Sequence, residues 1–203
     1  MYALIAIGYT MVYGVLRLIN FAHGDIMMVG GFLGFFGIAV LGLPFGAAVL
    51  LAIVGSAALG MLSDRIAYRP LRSAPKISLL ITAIGVSFFL ENAFNVFFGG
   101  VPRAFPVPAY LEVIVDFAGL TMPVSAIIVP IITVVLLAMI LWMLYKTKYG
   151  MAIRALAFDV GTVNLMGIDA NRIITLVFGM GSALAAVGGI FWAVSYTLVA
   201  NVR

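Results

Sequence analysis

A stretch without any charged residue, from residue 26 to residue 63, limits more than any other feature what this chain can fold into. One helix that crosses the hydrocarbon core of a bilayer needs about 20 residues, so the stretch is too long for a single span. Its middle carries the run Gly42-Leu43-Pro44-Phe45-Gly46, which is a strong turn signal. The stretch therefore predicts two membrane-spanning helices joined by a tight turn.

The rest of the sequence repeats this pattern of long apolar segments. Of its 203 residues, 65% are hydrophobic and only 9% are charged, and the mean hydropathy is +1.26. No stretch is long enough to form a soluble core, so we predict an all-α, polytopic integral membrane protein with a single transmembrane domain over residues 1–203. About six transmembrane helices are expected, at about 1–19, 26–42, 45–63, 77–98, 123–145 and 173–200.

The few charged residues lie mostly in two basic loops. The first holds Arg65, Arg69, Arg72 and Lys76, and the second holds Lys146, Lys148, Arg154 and Arg172. Clusters of Lys and Arg mark the cytoplasmic side, so both loops are predicted to be cytoplasmic and the connection 99–122 to lie on the opposite side. The net charge of +4 is therefore attributed to the orientation of the chain in the membrane, and no nucleic-acid partner is expected. The N-terminal segment lacks a basic n-region and a cleavage site, so a retained span is expected there.

The motif Ile-Asn-Phe-Ala-His-Gly-Asp at 19–25, which holds the only histidine, places polar groups between two apolar spans. Lipid cannot satisfy these groups, so they are expected to face protein or a water-filled path. The first interpretation is a helix break that lines or gates a solute path, formed by Asn20, Phe21, His23, Gly24 and Asp25. The alternative is a tight loop that caps the second helix, with Asp25 as the N-cap and Gly24 free to adopt a positive φ.

A second polar set is predicted on the fourth span. Ser87, Glu91 and Asn95 are spaced i, i+4, i+8, so they share one helix face. Glu91 and Asn95 are assigned to the path, as an outer vestibule, or to a polar contact between subunits. The alternative is a structural hydrogen-bond stripe between helices.

Residues 154–168, on the basic side, form a third feature. A short helix is expected there, begun near Asp159 and ended by Gly167. Its predicted apolar face consists of Leu156, Val160, Val163 and Met166. Such an element either rests on the membrane surface or docks in a groove of a cytoplasmic partner.

The last span carries small residues four positions apart. Ser182 and Ala186 make one such pair, and Ala185 and Gly189 make another. Pairs of this kind allow the backbones of two helices to approach closely. The last span is therefore predicted to pack tightly inside a helix bundle.

Several chemistries have no residues to support them. The chain has no cysteine and one histidine, which argues against a zinc cluster or any other metal site. No phosphate-binding loop and no serine-nucleophile elbow is present in the sequence. The chain is therefore expected not to be an enzyme and to need no cofactor of its own.

Four stretches together resemble one known family. They are Gly14-Val15-Leu16-Arg17-Leu18-Ile19-Asn20-Phe21-Ala22-His23-Gly24-Asp25, Tyr68-Arg69-Pro70-Leu71-Arg72, Ile81-Thr82-Ala83-Ile84-Gly85-Val86-Ser87, and residues 154–168 with their Leu-Met-Gly-Ile ending. In this order they resemble the permeases of branched-chain amino acid ABC transporters, of the LivH type. The resemblance extends over essentially the whole chain.

The resemblance implies import of branched-chain or related amino acids across a bacterial or archaeal plasma or inner membrane by a multi-pass subunit in the lipid bilayer. It also implies a second permease subunit, two cytoplasmic ABC ATPase subunits that bind the ATP, and a periplasmic solute-binding protein. Residues 154–168 fall where the family has its ATPase-coupling segment. The coupling residues implied in this way are Arg154, Ala155, Asp159, Met166, Gly167 and Ile168.

Members of that family usually continue with further spans after the equivalent of Ala200, so a C-terminally truncated permease is expected. Two rival interpretations remain open on the sequence. One is an autonomous ion-coupled secondary transporter or channel that uses His23, Asp25 and Glu91 as proton or ion groups. The other is a membrane fragment that does not transport.

Overall fold

Nine helices follow one another in the computed structural model, which describes residues 1–17, 19–99, 101, 103–117, 120–196 and 198–199. They are α1 (Tyr2–Leu16), α2 (His23–Ala39), α3 (Phe45–Ser63), α4 (Lys76–Phe98), α5 (Ala109–Glu112), α6 (Val124–Lys146), α7 (Lys148–Phe158), α8 (Val160–Leu165) and α9 (Ala170–Tyr196). A π-helical turn, Asp64–Tyr68, and a 3-10 turn, Arg69–Leu71, extend α3.

Four helical segments in the described part of the chain are long and apolar enough to cross a membrane: α3 with its extension, α4, α6 and α9. The helices α1 and α2 are apolar but shorter, with 15 and 17 residues. Each of the six predicted spans overlaps one of these helices, with most ends shifted by one to four residues. The predicted end of the sixth span at Ala200 lies outside the described residues.

The last long helix, α9, forms the centre of the bundle. In its most apolar window 78% of the residues are buried, against 6% for α6. A Cβ atom added at Gly30 would lie 2.5 Å from the Cα atom of Ala186, and one added at Gly8 would lie 2.7 Å from the carbonyl oxygen of Gly181. Small residues therefore allow α1 and α2 to pack closely on α9, and the predicted tight packing of the last span is confirmed.

The start of α2 differs from the prediction. The helix begins at His23 rather than at residue 26, and its N-cap is Ala22, which makes no side-chain capping bond. The prediction of Asp25 as N-cap was wrong, because this carboxylate accepts a hydrogen bond from Ser87 Oγ on α4 instead. Gly24 has no positive φ and lies in the first helical turn. The predicted turn between α2 and α3 is confirmed, with Gly42 at φ 63°.

Short strands lie in the connection between α4 and α6, where the sequence predicted only a loop. Strand β2 (Ile114–Phe117) pairs with β3 (Leu120–Pro123) as an antiparallel hairpin, and β1 (Arg103–Ala104) pairs with β4 (Leu198–Val199) after α9. Phe105 and Leu111 from this connection are buried in a cluster with side chains of α2 and α9. The connection thus closes one end of the bundle, and the predicted all-α class holds for the body of the protein.

Candidate functional site

The polar loop between α1 and α2 is anchored by Asn20. Its side chain is 4% exposed, and its Oδ1 atom accepts a 2.7 Å hydrogen bond from the Tyr68 hydroxyl in the π-helical turn. The ring of Tyr68 packs on Phe178 of α9 with 5.1 Å between the ring centroids. Asn20 therefore has a specific buried partner, which the sequence did not predict.

A buried ion pair continues from the same turn. Asp64, which is fully buried, pairs with Arg72 and accepts a 2.5 Å hydrogen bond from Thr175 Oγ1 on α9. Arg72 also donates to Asn171 Oδ1. Burying a charge is costly unless it is paired and hydrogen-bonded. These contacts pair and hydrogen-bond the Asp64 carboxylate, whereas Arg72 Nε is buried without a hydrogen-bond partner in the described part of the chain. The network fixes the first basic loop to the beginning of α9.

His23 is buried between α1 and the body of the bundle. Its Nε2 atom lies 3.1 Å from the carbonyl oxygen of Ile5, and its ring meets Tyr9 edge-on at 5.8 Å. A Cβ atom added at Gly8 would lie 3.2 Å from the imidazole Cε1 atom, so glycine at that position makes room for the ring. The sole histidine is thus a contact between α1 and α2.

An open cavity of about 520 Å³ lies beside α1. Four of the predicted path residues line it, namely Asn20, Phe21, His23 and Gly24. Apolar side chains of α1, such as Ile5 and Ala6, form much of the remaining wall. We call this space the α1 cavity; it is a mostly apolar pocket with a few polar groups at one end.

The other predicted path residues lie elsewhere, at the contact between α2 and α4. Ser87 Oγ donates to the Asp25 carboxylate, and the half-buried Glu91 is close enough to interact electrostatically with Asp25. Asn95, also half-buried, does not line the α1 cavity. The Ser87–Asp25 bond is the kind of link between helices that the alternative interpretation of this stripe expected. Nowhere in the described residues do three or more His, Asp or Glu side chains gather as a candidate metal site.

The segment 154–168 holds α8 and the end of α7 and is tied to two long helices. Arg154 donates to the carbonyl oxygen of Leu144 at the end of α6, and its guanidinium lies 5.2 Å from the ring centroid of Tyr145. Arg17, the left-handed C-cap of α1, donates a 2.8 Å hydrogen bond to the carbonyl oxygen of Ala157. The end of α7 is therefore fixed to both α1 and α6.

The predicted helix start and stop in this segment are confirmed. Asp159 is the N-cap of α8; its Oδ1 atom accepts a 2.8 Å hydrogen bond from the Gly161 N–H, and its Oδ2 atom accepts one from the Thr162 hydroxyl. These bonds, the Thr162 one above all, hold the pKa of Asp159 below its usual value of 3.8. Gly167, after the helix, has a φ of 80°.

The predicted common apolar face of this segment was wrong. Leu156 and Val163 are buried, whereas Val160 is 40% and Met166 is 78% exposed. The reason is the extended backbone at Asp159 (φ −154°), which separates α7 from α8, so one helical period does not run through both. A different set of large apolar side chains is exposed, consisting of Phe158, Leu165, Met166 and Ile168. We call it the apolar tip.

Of the implied coupling residues, only Arg154 has its side chain engaged with the bundle. Ala155, Met166, Gly167 and Ile168 are exposed, as is Asp159. The exposed residues surround or belong to the apolar tip. The segment is therefore anchored through α7 and through the buried Val163 of α8, and the apolar tip is left exposed.

Comparison with known proteins shows where the chain belongs. The profile of the family described as "Branched-chain amino acid transport system / permease component" matches residues 1–202. The permease BraD of a high-affinity branched-chain amino acid transport system in Pseudomonas aeruginosa is 36% identical, over 98% of this chain and 68% of its own length. The LivH permeases of Escherichia coli and Salmonella typhimurium, named for the same kind of system, are each 37% identical with the same coverage. No solved structure shows a significant match.

These relatives are transport permeases rather than enzymes, and the family is defined as one component of a larger system. The apolar helices of the bundle agree with a multi-pass membrane protein. The match runs from the first residue to residue 202, and the predicted family resemblance is confirmed. The chain belongs to the permease components of branched-chain amino acid transport systems.

Proposed function

We propose that this chain is the permease subunit of an ABC importer that moves branched-chain or related amino acids across the inner membrane. The observation that carries the proposal is the match to LivH-type permeases over 98% of the chain. The geometry supports it through a segment, 154–168, that is anchored at one end and presents the apolar tip at the other.

In this proposal the chain binds no ATP itself. Two cytoplasmic ATPase subunits bind and hydrolyse it, a second permease subunit completes the membrane part, and a periplasmic protein delivers the solute. Both basic loops lie on the cytoplasmic side, in keeping with the positive-inside rule. This orientation puts the apolar tip on the side where ATPase subunits dock.

The apolar tip is suited to a protein groove. Leu165 is 90% and Phe158 is 86% exposed, and large apolar side chains displayed together at a surface mark a site of interaction. The helix bearing Leu165 is ordered by its Asp159 cap, so the tip is presented in a fixed shape. An ATPase groove that covers these side chains removes them from water.

Motion of the docked segment reaches the membrane helices through two bonds. The Arg17 bond to Ala157 pulls on the end of α1, and the Arg154 bond to Leu144 pulls on the end of α6. The first of these helices carries one wall of the α1 cavity. Closure of the ATPases thus shifts α1 relative to α2 and alternately opens the cavity to each side of the membrane.

In this proposal the α1 cavity is the half of the solute path that this chain contributes. Its volume of about 520 Å³ lies within the range of small-molecule sites, about 300–1,000 Å³. Its apolar wall suits a branched aliphatic side chain, and the end near Asn20 and His23 suits the charged groups of an amino acid. The second permease subunit supplies the opposite wall.

One observation favours a second candidate function, an ion-coupled transporter. Asp25 and Glu91 are two carboxylates on the neighbouring apolar helices α2 and α4, and intramembrane carboxylates often carry protons or ions. The energy source separates the two functions. In the importer, the Asp25 carboxylate stabilises the contact between α2 and α4 through its hydrogen bond from Ser87.

The test is uptake of radiolabelled leucine, isoleucine and valine into membrane vesicles that contain the chain, its partner subunits and the binding protein. Uptake is expected when ATP is supplied on the cytoplasmic side, and it should persist when ionophores abolish ion gradients. Uptake that follows an ion gradient and ignores ATP would establish the ion-coupled transporter instead.

A further inference from the structure

A long groove lies between α9 and α3 with its extension, and it shares no lining residue with the α1 cavity. Its volume is about 700 Å³. Ala57, Met61, Arg65 and Arg69 line one wall, and their spacing of four residues places them along one helix face. The first half of α9 forms the opposite wall.

One end of the groove is basic. Arg65 and Arg69 line this end together with Arg172 of α9, and the only acidic side chain in the lining is Asp169. The Asp169 carboxylate is paired with Arg172 Nε at 3.0 Å. Arg65 and Arg69 are exposed and make no ion pair or hydrogen bond with any side chain that the structure describes. The groove end therefore carries an unmatched positive charge.

Arg72, in the same basic loop, has a different role from Arg65 and Arg69. Arg72 is turned inward, where it pairs with Asp64 and donates a hydrogen bond to Asn171. Internal pairing thus accounts for Arg72 and leaves Arg65 and Arg69 without an internal role. Both line the groove instead.

The other end of the groove is apolar and continues further. Met61 lies against Gly179, where an added Cβ atom would be 2.9 Å from the Met61 Cγ atom. Met180 and Ala183 line both the groove and a second cavity, of about 380 Å³, between α3, α6 and α9. The second cavity is lined by apolar side chains such as Trp142. The two spaces together run from the arginine side chains of the groove to a second cavity lined by apolar side chains.

We propose that this groove binds an anionic phospholipid of the cytoplasmic leaflet. The lipid phosphate lies between Arg65, Arg69 and Arg172, whose planar guanidinium groups suit phosphate oxygens. One acyl chain follows Met61 and Met180 into the second cavity. Basic pockets between membrane helices on the cytoplasmic side are typical sites for anionic head groups. A free phosphate ion fits the basic end alone and leaves the apolar length unexplained.

The inference concerns the membrane environment of the chain and does not rest on the transported solute. It assigns Arg65 and Arg69, which the coupling and path arguments do not use, to lipid binding. A bound lipid in this position would fill the space between α3, α6 and α9, where α6 is otherwise poorly packed.

The test is native mass spectrometry of the full chain, stripped of lipid in mild detergent and titrated with single lipids. Phosphatidylglycerol and phosphatidylethanolamine with the same acyl chains are compared, with inorganic phosphate as a third probe. The main variant is the double substitution Arg65→Gln with Arg69→Gln. The matched control is Lys146→Gln with Lys148→Gln, which removes the same charge from the other basic loop. Ala183→Phe tests the apolar end.

Phosphatidylglycerol is expected to bind more tightly than phosphatidylethanolamine, and the double arginine variant should lose on the order of tenfold or more of this affinity. The lysine control should bind phosphatidylglycerol like the unchanged chain, and Ala183→Phe should bind it more weakly. Equal binding of the two lipids, or equal losses in the arginine and lysine variants, would overturn the proposal. Competition by inorganic phosphate at the same concentration as the lipid would show a simple anion site and also overturn it.

A partner helix is the competing occupant of the groove. A photo-reactive side chain placed at Ala57 in intact membranes decides between them, because it should cross-link to lipid. A cross-link to a protein subunit would refute the lipid assignment. Neither measurement uses transport or ATP, so the result is independent of the uptake experiment above.

Discussion

Tyr68 and Asn20, which are 48 positions apart, meet through a 2.7 Å hydrogen bond inside the protein. The tyrosine belongs to the π-helical turn that follows α3, and the asparagine belongs to the loop that leads into α2. The bond therefore fixes the polar motif against the first basic loop, where Asp64 and Arg72 tie the same turn to α9. The conformation of the motif at 19–25 depends on this connection.

The substitution Tyr68→Phe should destabilise the protein by about 1–3 kcal/mol, because the buried Asn20 Oδ1 atom would lose its hydrogen-bond donor. The ring contact with Phe178 stays, so the loss reflects the hydroxyl alone. Thermal unfolding in detergent measures the effect. Tyr110→Phe, at a tyrosine that is 58% exposed, is the matched control and should change little. Equal behaviour of the two variants would mean that the bond contributes nothing.

The substitution Asp64→Ala should cost about 3–5 kcal/mol, since it leaves Arg72 in the network without its counter-charge. Asp169→Ala removes an aspartate from a surface pair with Arg172, whose side chain is 86% exposed, together with the hydrogen bond that its carboxylate accepts from the Arg172 N–H at the start of α9; it should cost about 0.5–2 kcal/mol. Denaturant unfolding of both variants provides the comparison. A small loss in Asp64→Ala would show that the buried pair is dispensable for stability.

The substitution His23→Ala should lower solute uptake by about tenfold, the effect of losing roughly one hydrogen bond or polar contact. Its imidazole lines the α1 cavity, whereas Asn95 does not, so Asn95→Ala is the control. Uptake into vesicles gives the rate, and the yield of purified complex shows whether assembly is intact. Normal uptake by His23→Ala would exclude the cavity from the path.

The substitution Leu165→Asp should abolish capture of the ATPase subunits, because a charge would enter the apolar groove that covers the tip. The position is 90% exposed, so the fold of this chain should be unaffected. Tyr110→Asp introduces the same charge into the connection predicted to lie on the opposite side of the membrane and should leave capture unchanged. Affinity purification through a tag on this chain measures both. Full capture by Leu165→Asp would remove the apolar tip from the coupling interface.

Hydropathy and turn residues were enough to place the helices of the bundle. The run at 42–46 separates α2 from α3 because Gly42 and Pro44 suit a turn that a continuous helix cannot accommodate. The small residues of α9 likewise predicted its central packing, because small side chains allow neighbouring helices to approach closely. Asp159 and Gly167 marked the ends of α8, since capping and positive φ depend on the residue itself.

Contacts between distant residues decided the rest. Aspartate is a common N-cap residue, but the Asp25 carboxylate accepts a hydrogen bond from Ser87 on another helix instead. The sequence assigned Asn20 to the solute path only. Its hydrogen bond with Tyr68 could not be predicted, because the packing of the extension of α3 on α9 brings these two distant residues together. The extended residue at Asp159 broke the apolar periodicity, so the exposed apolar tip differed from the predicted face.

The central claim, that this chain works as a permease subunit beside ATPase subunits, is tested most directly by native mass spectrometry of the tagged chain, purified from its host in mild detergent. The account predicts a complex with a second permease subunit and two ATPase subunits, which falls apart in the Leu165→Asp variant. For this measurement the chain is cross-linked in the membrane before extraction, and bound lipid is retained. A chain that is then found alone, or only with copies of itself, would contradict the account.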